Sequence, residues 1–201
     1  MKKIIVLGSF MSLTVWILSC NQEPAKEVAA APVSQDSLIR RGDYLVSTMG
    51  CDDCHTPKKM GAAGPEPDMA ARFSGHQAGS QLPPRKAGAG LDGWVLFNMS
   101  QTATVGPWGV SYSANITSDS TGIGSWTEQQ FSNALRKGFW KGLEGTRGLM
   151  PPMPWPNYAK LTDDDVKAMY TYLKSTKPVK NVVPAWEPPA GPPPPPPAAA
   201  Q

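Results

Sequence analysis

Cys51-Asp52-Asp53-Cys54-His55 is the stretch of this chain that decides its fold. Two thiols stand three positions apart, and an imidazole follows directly. Three chemistries use such a pair. A thioredoxin-like dithiol sits in a βαβ pattern, and none surrounds this one. A zinc site needs two further ligands, and outside the pentapeptide the chain offers only His76 and Cys20. Covalent haem attachment needs nothing beyond the five residues and an exported location. Each thiol then adds to one porphyrin vinyl group, and the histidine supplies a nitrogen to iron. The expectation is one covalent haem c held by Cys51 and Cys54, with His55 as an axial ligand.

Upstream, Lys2 and Lys3 precede an apolar run from Ile4 to Leu18. That run is shorter than the roughly 20 residues of a spanning helix and has the layout of a signal peptide. It ends Ile17-Leu18-Ser19-Cys20, which resembles a bacterial lipoprotein box. The resemblance implies residues 1–19 as a removed signal and lipidation of Cys20. An uncleaved anchor is the alternative. Both place the remainder outside the cytoplasm, tethered to a bacterial membrane and facing the periplasm or cell surface. The three cysteines are then all assigned, and none is left for a disulfide. The net charge of +3 falls to +1 without Lys2 and Lys3. No basic stripe is present, which argues against a nucleic-acid partner.

Residues 20–35 read as a flexible tether, residues 36–180 as the domain and residues 181–201 as a Pro/Ala-rich tail. Leu38, Gly42, Leu45 and Met49 fall on one helical face, and Gly50 closes that helix. Residues 56–112 are rich in Gly and Pro and are expected to wrap the haem. Within them, Trp94–Met99 and Gly109–Ser113 read as two short strands of a small hairpin. Thr127-Glu-Gln-Gln130 is a capping box, with Trp126 and Phe131 as its staple and Gly138 as the stop. The same device is expected at Thr162-Asp163-Asp164-Asp165, where Leu161 pairs with Val166. Val166, Met169, Tyr170 and Leu173 form the apolar stripe of that last helix. Pro192 to Pro197 reads as polyproline II, expected to be a spacer, with a docking motif as the alternative. The expected fold class is all-α: three to four helices around one haem, with a long irregular loop and a small hairpin.

The second axial ligand is sought in Met150-Pro151-Pro152-Met153-Pro154-Trp155-Pro156. A thioether is a soft neutral ligand that raises the reduction potential. Pro152 and Pro154 fix φ on either side of Met153, which suits a ligand on a stiff loop. Met153 ranks ahead of Met150. His76 ranks third and reads as a surface or propionate-side residue.

These residues resemble the class I cytochrome c family from about Asp36 to Val179. The landmarks are Gly42 and Tyr44, the Cys51–His55 pentapeptide, Met153, and Tyr170 with Leu173. Ser113-Ala-Asn-Ile-Thr117, Thr121-Gly-Ile-Gly-Ser-Trp126 and Met153-Pro-Trp-Pro-Asn-Tyr158 resemble one branch of it. That branch holds the cytochrome subunits of membrane-bound bacterial dehydrogenases. The resemblance implies an all-helical fold in which the first and last helices cross near a haem edge, with His55 and Met153 as ligands. It implies a single-electron carrier and no enzyme. The partners would be other redox proteins: a dehydrogenase, a quinol-oxidising complex or a terminal oxidase. This chain departs from the branch in carrying one haem motif where its members carry several. Two other readings stay open. One is a haem enzyme or gas sensor with an open distal site. The other is an obligate dehydrogenase subunit whose interface includes Trp94, Trp108, Trp140 and Trp155, residues that otherwise line the haem pocket.

Overall fold

Ser34 starts the first helix: its hydroxyl accepts the Ser37 N–H at 3.2 Å, satisfying one of the free donors at a helix start. The computed structural model describes residues 33–83 and 94–189, and α1 spans Gln35–Thr48. Gly50 adopts φ 71, a left-handed conformation that costs glycine little. It thereby ends α1 and begins α2, Cys51–His55. Thr127 and Gln130 cap α3, Glu128–Lys137, with both bonds of the capping box in place at 3.1 and 2.9 Å. A short helix, α4, covers Trp155–Tyr158, and α5 covers Asp163–Ser175.

The capping device expected at Thr162 is only half realised. Thr162 accepts the Asp165 N–H at 3.1 Å, but the Asp165 carboxylate accepts from Arg41 on α1 at 2.8 Å. A guanidinium is a stronger donor to carboxylate than a backbone amide, so the side chain ties two helices together instead of closing its own. α1 and α5 pack closely at Gly42. A Cβ there would lie 2.5 Å from the Tyr172 Cβ and closer still to the Ala168 carbonyl oxygen. Around this crossing the core gathers Leu45, Val46, Phe73, Phe131, Met169 and Leu173.

The all-α expectation is overturned. Among the described residues, five helices are joined by two small antiparallel sheets. β1 (Lys58–Gly61) and β2 (Gly64–Pro67) form a hairpin closed by Ala62-Ala63. β3 (Leu96–Phe97), β4 (Ala103–Gly106) and β5 (Gly109–Tyr112) form the second sheet in the order β3-β4-β5. The anticipated pairing of 94–99 with 109–113 is therefore not made, because β4 lies between them. β4 hides behind small residues: Ala103 and Thr104 are buried and carry little hydrophobic weight. Its signal was the two-residue turn Pro107-Trp108 between Gly106 and Gly109, a hairpin spacing.

After α5 the chain runs back across the sheet. Asn181 is buried, and its side chain donates to the carbonyls of Ser74 and His76 at 2.7 and 2.8 Å. Glu187 pairs with Val110 through both backbone bonds. Among the described residues no helix is long and apolar enough to cross a membrane. The signal segment, Cys20 and the run Pro192–Pro197 lie outside the described residues.

Candidate functional site

α2 is a single turn, too short to hold itself, and side chains around it fix its place. The Asp52 carboxylate accepts from Arg72 at 2.6 and 2.9 Å and from the Thr56 hydroxyl at 2.7 Å. Arg72 also reaches the Tyr172 hydroxyl of α5 at 3.0 Å and stacks over Phe73 at 4.3 Å. The Thr56 hydroxyl accepts the Phe73 N–H at 3.1 Å. At the other end of the turn, the Lys58 ammonium donates to the carbonyls of Asp53 and Thr56, complementing the negative end of the helix. Burial alone would raise the Asp52 carboxyl, but the Arg72 and Thr56 hydrogen bonds outweigh it and hold it below the usual carboxylate range.

This frame aims His55. Its Nδ1 lies 2.8 Å from the Ala114 carbonyl, and its own carbonyl accepts the Gly75 N–H at 2.8 Å. A carbonyl can only accept, so Nδ1 carries the proton and Nε2 keeps its lone pair. Burial holds the imidazole below its ordinary pKa against the opposing pull of the Ala114 bond. The ring is thus neutral at pH 7, the form that binds a metal. The two thiols are free. Burial, followed by the Asp52 charge, pushes Cys51 up to about 12, and burial raises Cys54 as well. Both are thiols at neutral pH. No group of three or more His, Cys, Asp or Glu able to hold a metal occurs among the described residues. Two neutral thiols on one turn beside a neutral, oriented imidazole fit a covalently attached haem.

The methionine loop arrives from the opposite end of the domain's sequence. Leu149 N–H donates to the Gly138 carbonyl at 2.7 Å, and Met153 N–H to the Met150 carbonyl at 3.3 Å. The Trp155 ring lies over Gly138, 2.5 Å from where a Cβ would stand. Met153 packs against the main core cluster together with Met49, Cys51 and Tyr158, a group that does not include Met150. Tyr158 is the bridge that sequence reasoning left without a role. Its hydroxyl lies 3.5 Å from the Met49 carbonyl. Burial, with the nearby Cys51 and Cys54, pushes its phenol up to about 12. The structure therefore brings the α2 motif and the methionine loop to one cluster.

His76 is not a surface residue. It is 1% exposed, its Nδ1 lies 2.9 Å from the Thr102 hydroxyl, and its ring rests 4.9 Å from that of Tyr112. The tryptophans divide. Trp94 is 68% exposed, whereas Trp108 is half-buried and donates to the Ser111 hydroxyl at 3.2 Å. Arg72 and the Ala114 carbonyl were also missed, because partners twenty or more residues apart leave no local signal. Thr56 was missed too, its Phe73 partner lying 17 residues away.

The Cytochrome c family profile matches residues 39–177. The cytochrome c subunit of alcohol dehydrogenase (quinone) from Gluconobacter oxydans is 31% identical over 153 residues, covering 75% of this chain and 24% of that protein. The fructose dehydrogenase cytochrome subunit of Gluconobacter japonicus is 32% identical over 176 residues, 86% of this chain and 29% of that protein. The gluconate 2-dehydrogenase cytochrome c subunit of Pantoea cypripedii is 34% identical over 141 residues, 70% and 23% respectively. The chain spans about a quarter of the length of these relatives.

Proposed function

The chain belongs to the cytochrome c family, and from that premise we propose that it is a single-electron carrier with one covalent haem. Cys51 and Cys54 would hold the group through thioethers, and His55 and Met153 would be its iron ligands. The haem supplies a one-electron ferric/ferrous couple. The observation that carries the reading is the His55 Nδ1 bond to the Ala114 carbonyl at 2.8 Å, which presents Nε2 as a ligand in a fixed orientation.

What the chain itself contributes is stiffness. The Asp52–Arg72–Tyr172 bonds tie α2 to α5. The prolines around Met153 hold the second ligand with little entropy lost on folding. A ligand set that moves little between oxidation states keeps the cost of electron transfer low, and two protein ligands leave no open position for substrate. The relatives are named as cytochrome subunits of dehydrogenases, which supports a dehydrogenase subunit as the electron donor, with a quinol-oxidising complex or terminal oxidase as other redox partners. Residues 1–20 support export and a lipid anchor at Cys20 on the periplasmic or outer side of a bacterial membrane.

The test is the absorption spectrum of protein matured in a host that attaches haem. The expected result is a c-type spectrum, one haem per chain and a far-red methionine-to-iron band in the ferric form. Met153→Ala should abolish that band, lower the reduction potential and admit carbon monoxide to the ferrous form. Loss of the band in Met150→Ala and its survival in Met153→Ala would reassign the ligand. Colourless protein with both sulfurs open to alkylation would end the proposal.

A further inference from the structure

Pro151 and Pro152 have no backbone N–H, so the tip of the methionine loop offers only carbonyls by which the rest of the domain can hold it. One of them is held. The Ser111 hydroxyl donates to the Pro151 carbonyl at 2.6 Å. The same oxygen accepts the Trp108 indole N–H at 3.2 Å, which leaves the hydroxyl proton directed at Pro151. Ser111 is 7% exposed, so water competes poorly for the bond.

Ser111 is itself well braced. It lies on β5, whose Val110 exchanges both backbone bonds with Glu187 at 2.8 and 3.0 Å. The Trp186 indole donates to the Trp108 carbonyl at 2.7 Å. The hairpin β4–β5 is therefore clamped on one side by the returning C-terminal segment and grips the methionine loop on the other. At the loop's base the Leu149–Gly138 bond forms a second anchor. The tip is two residues from Met153 and the base is four.

We propose that Ser111 is a positioning residue for the axial methionine: its hydroxyl, set by Trp108, holds the proline tip so that the Met153 thioether stays on the iron. This rests on the assignment of Met153 as ligand. In the ferric protein, imidazole added to solution competes with that thioether. Loss of one hydrogen bond to the loop should raise the affinity for imidazole about tenfold.

The experiment uses full-length, haem-loaded protein and four forms: wild type, Ser111→Ala, Ser118→Ala and Met153→Ala. Ser118 makes an equivalent hydroxyl-to-carbonyl bond, to Thr176 at 2.5 Å, away from the loop, so Ser118→Ala reports general destabilisation alone. Thermal unfolding confirms that each variant is folded. The expected result is tighter imidazole binding in Ser111→Ala and wild-type binding in Ser118→Ala. Wild-type binding in Ser111→Ala, with the band lost in Met153→Ala, overturns the positioning role and leaves the ligand assignment standing. Equal gains in both serine variants also overturn it. A band that survives Met153→Ala overturns both together.

Discussion

Replacing Gly42 by alanine tests how α1 and α5 pack. A Cβ added at Gly42 would lie 2.5 Å from the Tyr172 Cβ and 2.7 Å from the Ala168 carbonyl carbon, where unstrained carbons stand about 3.5–4.0 Å apart. The helices must separate by about 1 Å at their crossing. The obstruction is backbone and a Cβ, so no rotamer change relieves it, and truncating Tyr172 to alanine leaves the same atom in place. Overpacking of this kind costs about 1–3 kcal/mol, occasionally more, and here the upper end applies. Alanine returns about 1 kcal/mol through helix propensity. The net loss is then about 2 kcal/mol, or a fall in Tm of about 4–8 °C for a domain of this size. The assay is thermal and urea unfolding of haem-loaded wild type, Gly42→Ala and Gly148→Ala. The last is a control, since a Cβ at Gly148 meets nothing nearer than the Gly138 oxygen at 3.9 Å, and it should unfold near the wild-type midpoint. Gly42→Ala unfolding at the wild-type midpoint would refute the close crossing.

Arg72→Met should destabilise the protein by about 1–3 kcal/mol at pH 7, since Asp52 is left half-buried without its charged partner. The folded-state Asp52 carboxyl is depressed, burial being outweighed by Arg72 and Thr56. Its contribution is therefore full above the unfolded value of about 4 and fades as pH falls through the folded one. The gap between variant and wild type in urea midpoint should narrow on acidification to pH 3. A gap that is constant with pH would assign the loss to packing instead. Thr127→Ala removes the cap of α3 and should cost about 1 kcal/mol, read from the same urea curves. Cys20→Ala should move the protein from the membrane fraction to the soluble one, and protein that stays membrane-bound would remove the proposed lipid anchor.

Much of the site was local chemistry and so was legible in one dimension. Cys51, Cys54 and His55 share a single turn, and their meaning depends on spacing alone. The capped starts at Thr127 and Thr162 are equally local, because a cap reaches only three residues along the chain. The second sheet was misread for the opposite reason. Its central strand carries Ala103 and Thr104, small residues that the fold buries. Its edge strand carries Leu96 and Phe97, hydrophobic yet about half exposed. Hydrophobicity therefore pointed to the wrong pair.

The amino-acid sequence by itself marked the Cys51–His55 motif proposed to take the prosthetic group, and the capped starts of α3 and α5. Only the folded chain decided what steadies that chemistry: Arg72 on Asp52, the Ala114 carbonyl on His55, Tyr158 beside the cysteines and Ser111 on the proline tip. A motif is set by covalent spacing, whereas a hydrogen bond between residues forty positions apart exists only once packing has brought donor and acceptor together.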